Sequence, residues 1–365
     1  MSFSCGFVGL PNVGKSTLFN ALCSGGAEAA NFPFCTIEPN TGIVPVPDKR
    51  LGVLAELEHS ARIVPTTLKF IDIAGLVRGA SKGQGLGNQF LGHIRNVDAV
   101  GHVVRLFGDP NVVHVDGKLD PVNDLEVVLT ELMLADLDMV EKRLERAGKG
   151  RTPSPDVKME LEILKSLATM LGEGKLPQWD RKDEKVDAFV RSLELLTIMP
   201  AFVVANTDEE SFVNFDTDPR ATALRDFAAS HNMEVIPVCA KFEDELNQLD
   251  AEEAKMFMDE LGITERGLNR VIHTGYKLLN YITFFTTGTD ETRAWTVVAG
   301  TPAPQAAGKI HTDLCRGFIR MEVESYDDLV QYGSWNKARE AGKLRTEGKE
   351  YIVQDGDCVF VKFSV

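Results

Sequence analysis

The run Gly9-Leu-Pro-Asn-Val-Gly-Lys-Ser-Thr17 sets two glycines, a lysine and two hydroxyls at the spacing that cradles phosphate. Gly9 and Gly14 let the backbone curl so that successive N–H groups face inward, where phosphate oxygens accept from them. The residues that follow, Leu18 to Leu22, read as the start of a helix, whose N-terminal end adds partial positive charge. Lys15 has the reach for β- and γ-phosphates, and the Ser16 hydroxyl is placed to hold Mg²⁺. An apolar run, Phe3 to Val8, precedes the motif and supplies the strand it needs. This combination implies a site for a nucleoside triphosphate.

Two further segments extend it. Asp72-Ile-Ala-Gly75 closes an apolar run, where the carboxylate can hold Mg²⁺ through water and the Gly75 amide can sense the γ-phosphate. Thr36 lies between the two motifs in the irregular stretch Asn31 to Asn40, where its hydroxyl can complete the Mg²⁺ shell or be an ordinary loop threonine. The order of motifs is that of a switch protein, whose loops order around γ-phosphate and relax after hydrolysis. Cys35 falls in the same stretch.

Two departures from the guanine-specific plan carry functional information. A guanine site presents N-K-x-D after a late strand; here the residues are Asn206-Thr-Asp-Glu209. Lysine is missing and the longer Glu209 side chain displaces the carboxylate, while Asn206 keeps groups able to bond adenine. ATP is therefore expected over GTP, with Asp208 or Glu209 as the guanine reader if that expectation fails. Cys239-Ala240-Lys241 stands where a base-flanking S-A-K turn is expected. The second departure is Leu76, which follows D-x-x-G where a water-orienting glutamine is usual and can neither donate nor accept a hydrogen bond. Hydrolysis should be slow unless another group helps. His114 is one candidate for that role, beside its reading as a plain loop histidine. Asn12 either shapes the phosphate loop or helps to coordinate K⁺, which would bring positive charge to the γ-phosphate.

The elements that must position these residues alternate between strand and helix in the first half, implying a parallel sheet covered on both faces. Strands are expected at Phe3 to Val8, Thr41 to Val46, Thr67 to Ile73, Ala99 to Phe107, Pro200 to Ala205 and Glu234 to Val238. Gly75 to Gly87 carries too many glycines for a stable helix and reads as a mobile loop. From Asp124, apolar residues recur at helical spacing to Ala147, then again from Val157 to Leu171 after a polar break. This is an antiparallel helical hairpin, placed as an insertion over 124–199. Composition shifts near Asn280 toward short strands at Thr283 to Val298, Phe318 to Val323, Tyr351 to Val353 and Cys358 to Phe363, with one helix near Ser325 to Tyr332. Two domains are expected, 1–280 and 281–365.

The 365 residues carry 39 Lys or Arg against 54 Asp or Glu, a formal charge of −15, which opposes an indiscriminate grip on nucleic acid and leaves only a local patch for RNA. No signal peptide or membrane span is read in the sequence, and the six scattered cysteines show no metal-ligand spacing. A cytoplasmic monomer is expected, without membrane or DNA partners.

Together, G-L-P-N-V-G-K-S-T, N-F-P-F-C-T-I-E-P-N, D-I-A-G-L-V-R-G-A-S-K-G-Q-G-L-G-N-Q-F-L and N-x-x-E resemble the YchF subfamily of Obg-related P-loop proteins. So do R-A-W-T, A-A-G-K-I-H-T-D and G-F-I-R near the C-terminus, so the likeness runs nearly end to end. The resemblance implies a Ras-like α/β nucleotide domain with an inserted helical hairpin and a C-terminal α+β TGS domain of ubiquitin-like β-grasp fold. It implies an ATP-preferring, ribosome-associated enzyme with a part in stress responses. By position, nucleotide contacts would fall on Asn12, Val13, Gly14, Lys15, Ser16 and Thr17, Mg²⁺ ligands on Ser16 and Thr36, and a base contact on Asn206. Lys337, Arg339, Lys343, Arg345 and Lys349 cluster between Trp335 and Tyr351, a mixture that suits RNA or, equally, a solvated helix face. The resemblance favours ribosome or rRNA contact, shared with the hairpin. A nucleotide-sensing module with incidental hydrolysis and a GTP-specific factor remain the alternatives.

Overall fold

The apolar run before the phosphate loop forms β1 (Ser4–Val8), buried at every residue. A computed structural model describes residues 4–25, 40–73, 86–109, 119–147 and 155–364. Its further strands are β2 (Thr41–Pro45), β3 (Ile63–Val64), β4 (Thr67–Asp72), β5 (Ala99–Arg105), β6 (Ala201–Asn206), β7 (Val235–Val238), β8 (Tyr281–Thr286), β9 (Thr292–Val298), β10 (Phe318–Ser325), β11 (Arg345–Glu347) and β12 (Asp357–Phe363). The chain divides into two units, one of Met1–Ile43 with Lys69–Val271, the other of Val44–Leu68 with Ile272–Val365.

The first unit is built on a sheet of order β2-β4-β1-β5-β6-β7. β1 pairs parallel with β4 and β5, β5 with β6, and β6 with β7. Burial on both faces explains the apolar runs of β5, interrupted at the buried His102, and of β6. Parallel pairing also sends the C-terminal ends of five strands to one edge. Register sets Phe7 beside Asp72, Arg105 beside Asn206, and Asn206 beside Val238. Ligands of open α/β sheets bind at such an edge.

Between β5 and β6 run two long helices, Pro121–Ala147 and Pro155–Gly172, as the periodicity predicts. Leu129, Met133 and Val140 of the first share a core cluster with Leu164, Leu167 and Leu171 of the second. Asp136 anchors this pair to the chain entering β6. Its fully buried carboxylate accepts from the N–H groups of Leu196 (2.9 Å) and Thr197 (2.8 Å) and from the Thr197 hydroxyl (2.7 Å). The helix Leu86–Arg95 begins where the glycine-rich stretch ends.

The second unit has sheet order β11-β10-β12-β8-β9-β3. β8 and β9 form an antiparallel hairpin, β12 lies parallel to β8, and β10 is antiparallel to β12 and β11. The helix Ala303–Ile310 covers one face through Ala303, Ala306 and Ala307, all fully buried beside Phe284, Val297 and Met321. This is the expected β-grasp arrangement.

Three details differ from the sequence reading. Composition puts a boundary at Tyr281, yet Val44–Leu68 belongs with the C-terminal chain. β3 pairs parallel with Thr292 and Arg293 of β9, and Leu51 and Leu54 pack with Phe285, Leu329 and Cys358. One helix was expected near Ser325; it is Tyr326–Tyr332, and Ala303–Ile310, Thr312–Arg316 and Trp335–Glu340 are helical too. The strand expected at Tyr351 to Val353 is a single bridge, from Ile352 to Pro302.

Glu324 is the misfit of the second unit. It is fully buried opposite Cys358, and neither carboxylate oxygen has a hydrogen-bond partner. Burial, with a smaller push from Asp328, raises its pKa to about 7. Unfolded, the group would release its proton near the ordinary carboxylate value of 4.5. Stability is therefore lost as pH climbs from that value toward about 7, above which a bare carboxylate is buried. Glu324→Gln should stabilise the second unit at pH above about 7 by about 1–3 kcal/mol. The gain should vanish near the unfolded carboxylate value, as read by urea titrations with tryptophan fluorescence. A gain independent of pH would show that Glu324 does not titrate in this range.

Candidate nucleotide site

The phosphate loop leaves β1 at Gly9, where a side chain could not fit: a β-carbon there would lie 2.5 Å from the Val103 carbonyl oxygen. Asn12 and Gly14 both take positive φ, 65° and 83°. That geometry curls the loop around a hollow into which backbone N–H groups can point. The helix Lys15–Gly25 follows at once, its first turn closed by Leu18 N–H donating to the Gly14 carbonyl at 2.9 Å. Val13 is buried and fixes the loop from below, while Ser16 and Thr17 are exposed.

Asn206, at the end of β6, ties this loop to the next one. Its Nδ2 donates to the Val13 carbonyl (2.9 Å) and its Oδ1 accepts from the Ala240 N–H (3.2 Å). The side chain is 4 % exposed, so both bonds lie away from competing water. One N–H and one lone pair of Asn206 remain for a base. A β-carbon on Gly14 would come within 2.1 Å of Asn206 Nδ2, so glycine is required there for space as well as for φ.

Asp72 ends β4 opposite the loop. Lys15 Nζ forms an ion pair with Asp72 Oδ1, and the Ser16 hydroxyl donates to Asp72 Oδ2 at 2.8 Å. The pair is mostly buried, with 8 % and 11 % of the side chains exposed. A hydroxyl and a carboxylate meeting at one point are the hard oxygen donors that suit Mg²⁺, so the residues fit that ion. Among the described residues no group of three or more His, Cys, Asp or Glu could hold a metal by itself, so phosphate and water would have to fill the remaining positions.

The base-side loop differs from a guanine reader at both specified positions after Asn206, Thr207 and Glu209. Thr207, in place of lysine, is 3 % exposed and bonded to β7: its N–H donates to the Val238 carbonyl at 2.8 Å and its hydroxyl at 3.3 Å. Asp208 caps the short helix Glu209–Val213, Oδ1 accepting from the Ser211 N–H at 2.8 Å and Oδ2 from the Gly108 N–H at 3.3 Å. Burial opposes charging Asp208, but the bonds from Ser211 and Gly108, with Arg220 nearby, hold its pKa below the ordinary carboxylate value. Glu209 is exposed at the first turn of that helix. Cys239 precedes the helix Ala240–Leu246; burial pushes its thiol up to about 11, so it is neutral at physiological pH.

Arg105 and Phe107 take part without having been expected. Arg105 ends β5 almost fully buried, donates to the carbonyls of Phe107 (3.1 Å) and Asp109 (3.2 Å), and stacks 4.4 Å above the Phe107 ring. The stretch it fixes carries Gly108, the donor to Asp208. The signal in the sequence was one charged residue closing a strand that is apolar apart from His102. Gly75, Leu76, Thr36, Cys35 and His114 lie outside the described residues.

The aromatic and basic stretch near the C-terminus is mostly satisfied within its own unit. Lys343 pairs with Asp328 (3.2 Å), Arg345 with Asp357 (3.2 Å) and Glu347 (3.3 Å), and Arg339 lies 3.9 Å from Glu322. Trp335 packs beside Leu329 and donates to the Thr287 hydroxyl, and the Tyr351 hydroxyl donates to Asp357 at 2.7 Å. These bonds tie both rings into the fold of the second unit.

A strand, a glycine loop closing on a helix and an aspartate at the neighbouring strand end define a P-loop nucleotide-binding protein. Residues 4–139 match the family described as 50S ribosome-binding GTPase, and 281–364 match the YchF-type GTPase C-terminal family, described as a protein of unknown function. The chain is 53 % identical over 367 residues to the ribosome-binding ATPase YchF of Escherichia coli O157:H7, covering all of both proteins. It is 50 % identical over 366 residues to the Bacillus subtilis protein of the same name, again covering all of both. The structure of the Schizosaccharomyces pombe YchF GTPase superposes with a TM-score of 0.89 at 39 % identity, over 99 % of this chain and 98 % of that one. The chain belongs to the YchF family.

Gly14→Ala should weaken binding of a fluorescent nucleotide by about 10- to 100-fold, the equivalent of about 1–3 kcal/mol of backbone strain. Far-UV circular dichroism should stay at the parent value. Unchanged affinity would show that the loop tolerates displacement of Asn206.

Proposed function

We propose that this chain is a slow, Mg²⁺-dependent, switch-type ATPase that binds the ribosome and uses its nucleotide state to regulate a translational partner. The observation that carries the base preference is how the N-x-x-E segment is used up. A guanine reader needs a free aspartate to accept from two base N–H groups. Here Asp208 is occupied by Ser211 and Gly108, Thr207 is bonded to β7, and the carboxylate at the fourth position belongs to the longer Glu209. Relatives named as ribosome-binding ATPases support the reading, although the fission yeast structure is described as a GTPase.

The chain's residues suggest how binding would proceed. Lys15 is paired with Asp72. A triphosphate offers Lys15 oxygens of higher charge, so the ammonium moves to the β- and γ-phosphates and Asp72 is released. Ser16 and the freed Asp72 would then hold Mg²⁺, which when bound neutralises charge on the phosphates. Asn12, exposed in the loop, would be the residue that helps to hold K⁺. Leu76 keeps turnover slow, because it cannot orient water.

Competition of ATP and GTP against a fluorescent nucleotide, with Mg²⁺ present, tests the base preference. ATP should bind tighter by about tenfold, roughly 1.4 kcal/mol. ATP turnover should also be faster in KCl than in NaCl, and Asn12→Ala should abolish that difference. Equal binding, or a GTP preference, would return base reading to Asp208 or Glu209. A salt-independent rate would remove the role given to Asn12.

A further inference from the structure

Within the first unit a cavity of about 400 Å³ lies beside β7, the edge strand of the sheet. Phe212, Val235, Pro237 and Ile263 give it apolar walls, and Arg225 and Arg270 bring guanidinium groups to it. It shares no lining residue with the phosphate loop. A volume of this order, with a few charged groups among apolar walls, is what small-molecule sites use to hold and orient a ligand.

The two arginines differ in what already occupies them. Arg225 donates from Nη1 to Asp216 Oδ1 at 2.6 Å and from Nη2 to the Asp216 carbonyl at 3.3 Å. Its guanidinium also lies 5.2 Å from the centroid of the Phe215 ring. Arg270 is half-buried in the helix Gly267–Leu278, and its guanidinium makes no hydrogen bond or ion pair among the described residues. A partly buried cation without a counter-charge carries a desolvation cost that an anion in the cavity would offset. Glu265 lines the cavity too, exposed and unpaired among the described residues.

Two of the walls are bonded to the nucleotide site. Phe212 lies in the helix Glu209–Val213, whose cap Asp208 is held by the Gly108 N–H. Ile263 and Glu265 lead into Arg266, which donates to Glu243 Oε2 at 2.7 Å and to Asn247 Oδ1 at 2.6 Å. Glu243 belongs to the helix that starts at Ala240, the partner of Asn206. Asn247 Nδ2 donates to the Ala21 carbonyl at 2.7 Å, in the helix that follows the phosphate loop. From this geometry we infer that the cavity is a second ligand site, taking a small carboxylate with an apolar body, and that its occupancy shifts nucleotide affinity. The planar fork of Arg270 takes the carboxylate oxygens as a pair. The body lies against Phe212, Val235 and Ile263, and Glu265 meets an ammonium where the ligand carries one. An apolar amino acid and a plain organic acid share this chemistry. The inference needs a nucleotide site, and neither a base preference nor a ribosomal partner.

The test uses the full-length chain with Mg-ATP in excess, so that the nucleotide site is filled. The probes are 3-phenylpropionate and L-phenylalanine, titrated by saturation-transfer NMR. Both should bind the parent; the tighter one names the source, phenylalanine if Glu265 takes an ammonium and the plain acid if it does not. Arg270→Gln should weaken both by about tenfold or more. Ile263→Trp, which fills the cavity and leaves its charges in place, should do the same. Far-UV circular dichroism of both variants should match the parent. In a separate titration, saturating 3-phenylpropionate should shift the parent's affinity for a fluorescent ATP analogue by about fivefold or more. Arg270→Gln should show no such shift, and its affinity without the probe should equal the parent's. Failure of both probes to bind the parent would overturn the inference, as would binding that both variants retain. Equal binding of the uncharged 3-phenylpropanamide would remove the role given to Arg270, and binding without a shift in nucleotide affinity would remove the coupling.

Discussion

The carboxamide of Asn206 is the joint on which the nucleotide site depends. One end holds the Val13 carbonyl of the phosphate loop, the other the Ala240 N–H at the start of the helix after β7. Both partners are local to the C-terminal edge of the sheet only because the strands are parallel and in register. Gly14 must lack a β-carbon because the same side chain stands over it. The phosphate cradle and the base-side turn are thus held by one buried group, and neither can shift far without breaking a bond shielded from water.

Around this joint the charged residues are paired with one another. Lys15 and Asp72 neutralise each other and are mostly buried, which avoids the cost of a lone charge in that position. In the proposed switch, triphosphate would give the ammonium a better partner and free the carboxylate, so that occupancy of the loop would be felt at the end of β4. Arg105 has a quieter part. Its guanidinium, stacked on Phe107 and bonded to two carbonyls, shapes the stretch whose Gly108 N–H holds Asp208. The loop after β5 and the segment after β6 are therefore connected, and Asp208 is kept charged by bonds that also occupy it.

What the sequence made legible is what is local in it. Lys15, Ser16 and Gly14 act within one loop, and the long helices repeat their apolar residues often enough to be read. The family likeness rested on such contiguous segments. What stayed hidden depends on distant partners or on unremarkable composition. β3 is two residues long and acquires meaning only by pairing with β9, so the grouping of Val44–Leu68 with the C-terminal chain had no local signal. The helix Ala303–Ile310 is disguised by proline, glycine and alanine; its alanines matter because they let it approach the sheet closely. Asn206 was expected to face a base, yet its principal contacts are protein groups 193 and 34 residues away in the chain. Composition could not show that the polar ends of Trp335 and Tyr351 are bonded to Thr287 and Asp357.

The central claim is that Asn206 supports the phosphate cradle itself. Tripolyphosphate with Mg²⁺ has the phosphates of a nucleotide and no base, so it separates the two roles open to this side chain. Its affinity, measured by isothermal titration calorimetry for the parent chain and for Asn206→Ala, is the most direct test. Loss of two buried hydrogen bonds should weaken tripolyphosphate and Mg-ATP in parallel, by about tenfold or more. Tripolyphosphate binding that is unchanged while ATP binding falls would contradict the account and make Asn206 a reader of the base alone.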